Sequence, residues 1–66
     1  MRLKLNGEAR EVPEHTTLMA LLSSLGLRAE QVAVEHNRTI VHRRQFASIR
    51  LRDGDELEIV RIVGGG

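Results

Sequence analysis

The sequence predicts an α+β domain of two layers, in which a mixed sheet of four to five strands packs on one main helix. Polar and apolar residues alternate near both ends of the chain, and a single stripe of leucines lies between them. A helix with one apolar stripe has to bury it against the face of a sheet, which gives two layers. The 66 residues suffice for one domain. We assign this domain to residues 1–63, followed by a flexible glycine tail at residues 64–66.

The N-terminal segment predicts a β-hairpin. Leucines alternate with polar residues over residues 2–6, as in a half-buried strand, and Asn6-Gly7 is a favoured dipeptide of two-residue hairpin turns. A return strand over about residues 8–12 should follow. It ends at Pro13, which has no N–H to donate to a neighbouring strand. This second strand is therefore expected at an edge of the sheet.

The helix is the most regular element of the sequence. Thr16 or Thr17 can cap its N-terminus, and Gly26 can end it in the left-handed conformation. Its apolar residues have the spacing i, i+3, i+4 and i+7, which places them on one face: Leu18, Leu21, Leu22 and Leu25.

The remainder of the chain predicts three more strands. Residues 31–36 have strand spacing, Asn37-Arg38 is typical of a turn, and residues 39–41 can pair back as a short strand. The less regular stretch that follows contains Phe46, which we expect in the core. The last strand is the longest β-favouring run, residues 56–63.

Asp53-Gly54-Asp55 is a strong turn signal before this last strand. The right-handed crossover rule favours a last strand that is central and parallel to the first. An N-terminal hairpin, a crossing helix and a central last strand together fit a β-grasp fold.

The composition argues against several classes of protein. There is no cysteine, so disulfides, thiol catalysis and thiolate metal sites are excluded. A net charge of +1, one Phe and no Trp or Tyr argue against a surface for nucleic acids. The N-terminus alternates in polarity and resembles neither a signal peptide nor a membrane span. We therefore expect a monomer in the cytoplasm.

The side chains contain no evident catalytic or metal-binding set. His15, His36 and His42 lack ligand spacing, and we interpret them as surface residues. No Ser-His-Asp or paired-carboxylate arrangement can be argued in so short a chain. We predict that the protein is not an enzyme and binds no metal.

The terminal glycines have two interpretations. Chain ends are commonly disordered, and a glycine run can be an inert, solvated stub. Alternatively, Gly64 and Gly65 could thread through a channel too narrow for any other residue and present the carboxylate of Gly66. Three residues reach roughly 10 Å. Ordering them costs about 3–6 kcal/mol of backbone entropy, so docking of the folded body has to offset that loss.

The last strand indicates where such docking could occur. If Leu57 and Ile59 face the helix, Val60 and Ile62 lie on the open face of the sheet, beside the tail. An exposed apolar pair is a candidate docking patch. A twist or bulge that buries the pair is the alternative.

Several motifs occur together at spacings typical of one family. They are the Asn6-Gly7 opening, the helix from Thr17-Leu18 to Leu22, Val32-Ala33-Val34-Glu35 with Asn37, Ile40-Val41 with Arg43, Asp53-Gly54-Asp55, Glu58-Ile59-Val60 and Val63-Gly64-Gly65-Gly66. On these motifs the chain resembles the ThiS family, the sulfur carriers of thiamine biosynthesis, over essentially its full length. One departure is His42, where such carriers often have proline.

The resemblance implies a ubiquitin-like β-grasp fold and a carrier that binds no cofactor itself. An E1-like, ThiF-like adenylyltransferase would use ATP and magnesium to adenylate the Gly66 carboxylate. Sulfur from a donor such as a cysteine desulfurase persulfide would convert it to a thiocarboxylate, which a ThiG-like thiazole synthase would use. The alternatives are a small subunit of molybdopterin synthase, a ubiquitin-like protein modifier, and a β-grasp binding module with an inert tail.

Overall fold

A computed structural model describes residues 1–62. Val63 and the predicted tail, Gly64 to Gly66, lie outside the described residues. Two 3-10 turns, Ala29–Gln31 and Arg43–Gln45, lie between the regular elements. The strands and the helix are β1 (Arg2–Leu5), β2 (Glu8–Glu11), α1 (Leu18–Ser24), β3 (Val32–His36), β4 (Thr39–Val41) and β5 (Glu56–Arg61).

The five strands form one mixed sheet in the order β2-β1-β5-β3-β4. β1 pairs antiparallel with β2 and parallel with β5, whereas β3 pairs antiparallel with both β5 and β4. The prediction of a central last strand parallel to the first is therefore confirmed, as is the edge position of the second strand. This is the β-grasp arrangement.

The helix packs its leucines on one face of this sheet. Thr17 is the N-cap, and its hydroxyl oxygen accepts a hydrogen bond of 3.1 Å from the Ala20 N–H. Gly26 follows the helix with φ of +73°, as its sequence position predicts. Leu25, the C-cap, is half-buried, whereas the core proper consists of Leu3, Leu18, Leu21, Leu22, Val32, Val34, Phe46, Leu51, Leu57 and Ile59.

The loop around Phe46 completes the helix N-terminus. The Phe46 and Ile49 carbonyls accept hydrogen bonds from the first two helical N–H groups, those of Met19 and Leu18, at 3.0 and 2.9 Å. N–H groups at a helix N-terminus have no partner within the helix. The predicted core residue Phe46, only 1% exposed, thus also anchors the backbone that closes this end of α1.

None of the helices within residues 1–62 combines the length and the apolar character needed to cross a membrane.

Candidate functional site

The face of the sheet that α1 does not cover is the candidate functional surface. Among residues 1–62, the large apolar side chains exposed to solvent are Ile40, Val60 and Ile62, at 76%, 62% and 56%. Leu57 and Ile59 of β5 face the helix, at 1% and 9% exposure. Val60 and Ile62 therefore lie on the open face, as predicted, and no twist or bulge buries them.

Ile40 belongs to the same face, although the sequence did not identify it as a surface contact. Ile40 of β4 lies directly opposite Glu35 of β3, and Glu35 lies directly opposite Glu58 of β5. Residues directly opposite each other on paired strands point to the same side of a sheet. Alternation with half-buried Val41 could have assigned Ile40 to the open face, but a strand of three residues gives a weak periodic signal.

Two carboxylates lie beside these apolar side chains. Glu35 and Glu58 are both exposed and stand opposite each other in the β3–β5 pair. Like charges at directly opposed positions destabilise a sheet. The open face therefore contains an arrangement that folding alone does not favour.

Two neighbouring cations line the same depression as this pair. A depression of about 240 Å³ is lined by Lys4 and Arg38 as well as by Glu35 and Glu58. Lys4 pairs with Glu56, with Nζ and Oε2 3.9 Å apart. Within residues 1–62, no ion pair at 4.0 Å or less includes Glu35 or Glu58.

Two asparagines hold β5, the strand that leads to the glycines. On the β1 side, Asn6 Oδ1 accepts a 2.8 Å hydrogen bond from the Ile59 N–H, and its Nδ2 donates to the Ile59 carbonyl at 3.2 Å. On the β3 side, Asn37 Oδ1 accepts from the Glu56 N–H at 2.9 Å. Both asparagines have positive φ, 49° and 50°. The sequence had identified them only as turn residues.

The Asn6 side chain extends the pairing of β5 beyond the end of β1. The parallel register joins only Lys4 to Glu56 and Leu5 to Leu57. The primary amide of Asn6 then presents a donor and an acceptor to the next backbone unit, as a further strand residue would. β5 is thus fixed on its β1 side as far as Ile59.

One of the three histidines is not the simple surface residue that we predicted. His36 Nε2 lies 2.8 Å from Asp55 Oδ2, and the two side chains are 23% and 12% exposed. His15 and His42 are exposed, as predicted. His36 and Asp55 are 19 residues apart in the chain, so only the fold brings them together.

The Asp55 carboxylate accepts several hydrogen bonds in the turn before β5. Partial burial raises its pKa, but hydrogen bonds from His36, the Arg52 N–H and Asn37 lower it by more in sum, and the net pKa lies below the ordinary value. The Arg52 N–H donates to Oδ2 at 2.9 Å and Asn37 Nδ2 donates to Oδ1 at 3.1 Å. The ionised carboxylate therefore stabilises the folded turn.

A metal centre is not found in the part of the chain that the structure describes. Residues 1–62 contain no group of three or more His, Asp or Glu side chains that could hold a metal ion. Gly64, Gly65 and Gly66, the predicted threading stem and activated end, lie outside the described residues, so their role stays a prediction.

Comparison with known proteins identifies the family. The family model described as the ThiS family matches residues 3–66. The sulfur carrier protein ThiS of Bacillus subtilis is 38% identical over 65 residues, which cover 97% of this chain and 98% of that protein. A crystal structure of the thiamine biosynthesis protein ThiS from Geobacter metallireducens superposes with a TM-score of 0.85 at 36% identity, and all of both chains is covered.

A second kind of relative is much longer. A thiazole synthase of Paramagnetospirillum magneticum is 46% identical to this chain over 66 residues. The chain spans only 20% of the length of this protein, and the same share of a thiazole synthase from Magnetococcus marinus. Sequence motifs, sheet order and the match over residues 3–66 agree, and the chain belongs to the ThiS family of ubiquitin-like β-grasp proteins.

Proposed function

We propose that this chain is a sulfur carrier of thiamine biosynthesis that works through the carboxylate of Gly66. The family match over residues 3–66 carries the proposal, because it includes all three terminal glycines. Two ThiS relatives, in Bacillus subtilis and Escherichia coli, are named sulfur carrier proteins. The carrier is a protein substrate of its partner enzymes.

The first proposed step activates the carboxylate. A ThiF-like adenylyltransferase of the E1 type binds ATP and magnesium, the Gly66 carboxylate attacks the α-phosphorus, and pyrophosphate leaves. The resulting acyl adenylate has a good leaving group, which a free carboxylate lacks. The metal ion and partner side chains stabilise the developing charge. Gly64 and Gly65 form the stem that passes through the narrow entrance to that site.

The second proposed step introduces sulfur. A persulfide, such as that of a cysteine desulfurase, attacks the acyl carbon, and AMP leaves. A second thiol then cleaves the acyl disulfide, so that a thiocarboxylate is released while a disulfide forms between the two thiols. Both thiols belong to partner proteins, because these 66 residues contain no cysteine. On this proposal the carrier works in the cytoplasm, where thiols remain reduced.

The third proposed step delivers sulfur to a ThiG-like thiazole synthase. Two proteins named thiazole synthase contain, within a fifth of their length, a stretch similar to this whole chain. Sharing one polypeptide raises the effective concentration of two domains for each other. Such a fusion supports a working contact between carrier and synthase.

The open sheet face supplies the docking energy that the tail needs. Ordering three glycines costs about 3–6 kcal/mol, and the tail has no side chains with which to recover it. Val60 and Ile62 are exposed and precede the tail closely in the sequence, and we assign them to the docking surface. The folded body, not the tripeptide, is therefore the unit that the partner enzymes recognise.

Intact mass spectrometry tests this function. The chain is incubated with a ThiF-like enzyme, ATP, magnesium and a cysteine desulfurase with cysteine, and we expect a mass increase equal to the exchange of one oxygen for sulfur. A Gly65→Leu variant should keep the fold and remain unmodified, because leucine blocks the entrance. If the wild-type chain never gains sulfur, or is instead found joined to lysines of other proteins, the proposal is wrong.

A further inference from the structure

The open face of the sheet combines two features that are separately unfavourable for an isolated domain. Ile40, Val60 and Ile62 expose apolar surface to water. Glu35 of β3 and Glu58 of β5 stand directly opposite each other, and Glu35 is also opposite Ile40 of β4. Binding of an apolar surface that carries a positive charge would remove the exposed side chains from water and offset the repulsion between the two carboxylates.

We propose that this face docks a protein partner that presents apolar side chains around one arginine or lysine, with the cationic group received between Glu35 and Glu58. The inference rests on the proposed function, which requires partners that hold the folded body while the tail reacts. It specifies the chemical character of the partner surface that contacts the carrier.

The strand registers place these groups in one continuous patch. Ile40, Glu35 and Glu58 form a row across β4, β3 and β5. Two residues further towards the end of β5, Val60 stands opposite Ala33, and the Ile62 N–H donates to the Gln31 carbonyl at 2.8 Å. Diagonal neighbours on a sheet face are about 7–8 Å apart, so apolar contacts extend beside the carboxylates towards the residues that precede the tail.

The acidic pair disfavours the other occupants of this face. A second copy whose two-fold axis passes near Glu35 and Glu58 would bring these residues close to their own counterparts, which like-charge repulsion opposes. An anionic membrane or a nucleic acid would meet the same repulsion. The remaining residues of this chain, Val63 to Gly66, have no positively charged side chain. A basic protein surface is the complementary occupant.

The carboxylates make this docking selective. A cation between two acidic side chains is favoured, and an acidic partner surface at the same position is rejected. Arginine suits the place best, because its planar group can donate to two carboxylates at once. Exposed apolar side chains alone would bind many surfaces with little discrimination.

The test measures binding and stability in parallel. We substitute Glu35→Gln and Glu58→Gln, singly and together, and use Glu8→Gln as the matched control. Glu8 loses the same charge but lies opposite Leu5, on the helix side of edge strand β2. Calorimetry measures the dissociation constants of the full chain with the ThiF-like enzyme and with the ThiG-like synthase, and thermal melting reports the fold.

We expect each substitution in the pair to weaken binding to at least one of the two enzymes by about fivefold, with a larger loss in the double variant. The melting temperature should stay equal or rise, because the substitution removes like-charge repulsion. Glu8→Gln should bind as the wild type does. Ile40→Ser should weaken binding without lowering the melting temperature, since its side chain is 76% exposed.

Wild-type affinity of the double glutamine variant for both enzymes overturns the inference, as does a lack of binding by the wild-type chain itself. Self-association that Ile40→Ser abolishes would assign the face to a second copy and also overturns it. The mass assay separates the two proposals. If the wild-type chain gains a thiocarboxylate but the glutamine variants bind both enzymes with wild-type affinity, only the docking inference is wrong. If the glutamine variants bind more weakly but the wild-type chain never gains a thiocarboxylate, only the proposed function is wrong.

Discussion

Asn6 and Asn37 take similar positions on the two sides of β5. Each lies in a hairpin turn at positive φ, and each uses a side-chain amide to bond the backbone of the last strand. Asparagine tolerates the left-handed conformation better than most residues and offers both a donor and an acceptor. Both turn residues therefore also pair with the β5 backbone through their side chains.

Asn6→Gly should weaken the fold mainly through the loss of the side-chain amide, because glycine adopts positive φ without strain. We expect a decrease of about 1–2 kcal/mol in the free energy of unfolding, from two lost hydrogen bonds. Urea denaturation measures it, and amide hydrogen exchange should become faster at Ile59. Asn6→Ala should lose more, since alanine is strained at φ of 49°. Unchanged exchange at Ile59 in the glycine variant would contradict this role of Asn6.

Asp55 makes stability depend on pH in the acidic range. Its pKa is lower in the folded state, so the unfolded chain takes up the proton first as pH falls. The stabilisation is complete above the ordinary pKa, about 4, and is lost as pH falls from there through the lower folded-state value. Asp55→Asn should decrease the unfolding free energy by about 1–2 kcal/mol at pH 6 and flatten its fall below about pH 4. Urea denaturation across this range, with Glu8→Gln as the exposed control, measures the effect.

At the scale of single elements, alternation was sufficient for β5 and insufficient for β4. Six residues of β5 show which side chains face the helix, so the exposure of Val60 could be predicted and is confirmed. β4 has three residues, and the position of Ile40 beside Glu35 depends on register. Register is set by turns and by tertiary packing, which local spacing does not contain. The contact between His36 and Asp55 was missed for the same reason.

Truncation of side chains on the two faces of β5 should have different effects, lowering stability on the helix side and partner affinity on the open side. Leu57→Ala removes a side chain that is 1% exposed, and we expect a loss of about 2–5 kcal/mol. Val60→Ala, in the same strand but 62% exposed, should change stability by less than about 0.5 kcal/mol. It should nevertheless reduce affinity for the partner enzymes. Chemical denaturation and calorimetry on both variants check this, and a strongly destabilised Val60→Ala variant would place that side chain in the core.

At the scale of the whole molecule, the sequence predicted the architecture because its local signals agree. The leucine stripe, the turn dipeptides and the long last run each favour one arrangement of five strands and a helix, which the structure has. A fold can be predicted from sequence when its local signals agree with one another. The paired carboxylates of Glu35 and Glu58 oppose folding locally, and they were not recognised as a feature until the register was known.

The fold should not depend on the glycines. The buried core extends from Leu3 to Ile59, and Gly64 to Gly66 contribute no side chains to it. Deletion of Gly64–Gly66 should leave the melting temperature within the error of the measurement while it abolishes modification by the ThiF-like enzyme. A matched deletion of the first residues, which include buried Leu3 of β1, should unfold the domain. A clear loss of stability on removing the three glycines would show that they pack on the domain.

The position of β5 also determines how the domain responds to mechanical force. An enzyme that grips the tail and changes shape pulls along β5 from the end that follows Arg61. The neighbouring strands β1 and β3 run alongside it, so their hydrogen bonds lie across the direction of pull and are loaded together in shear. Bonds loaded in shear break as a group, whereas bonds at a hairpin pulled open break one at a time. We therefore expect a domain whose last strand is central to withstand tension that would peel away an edge strand.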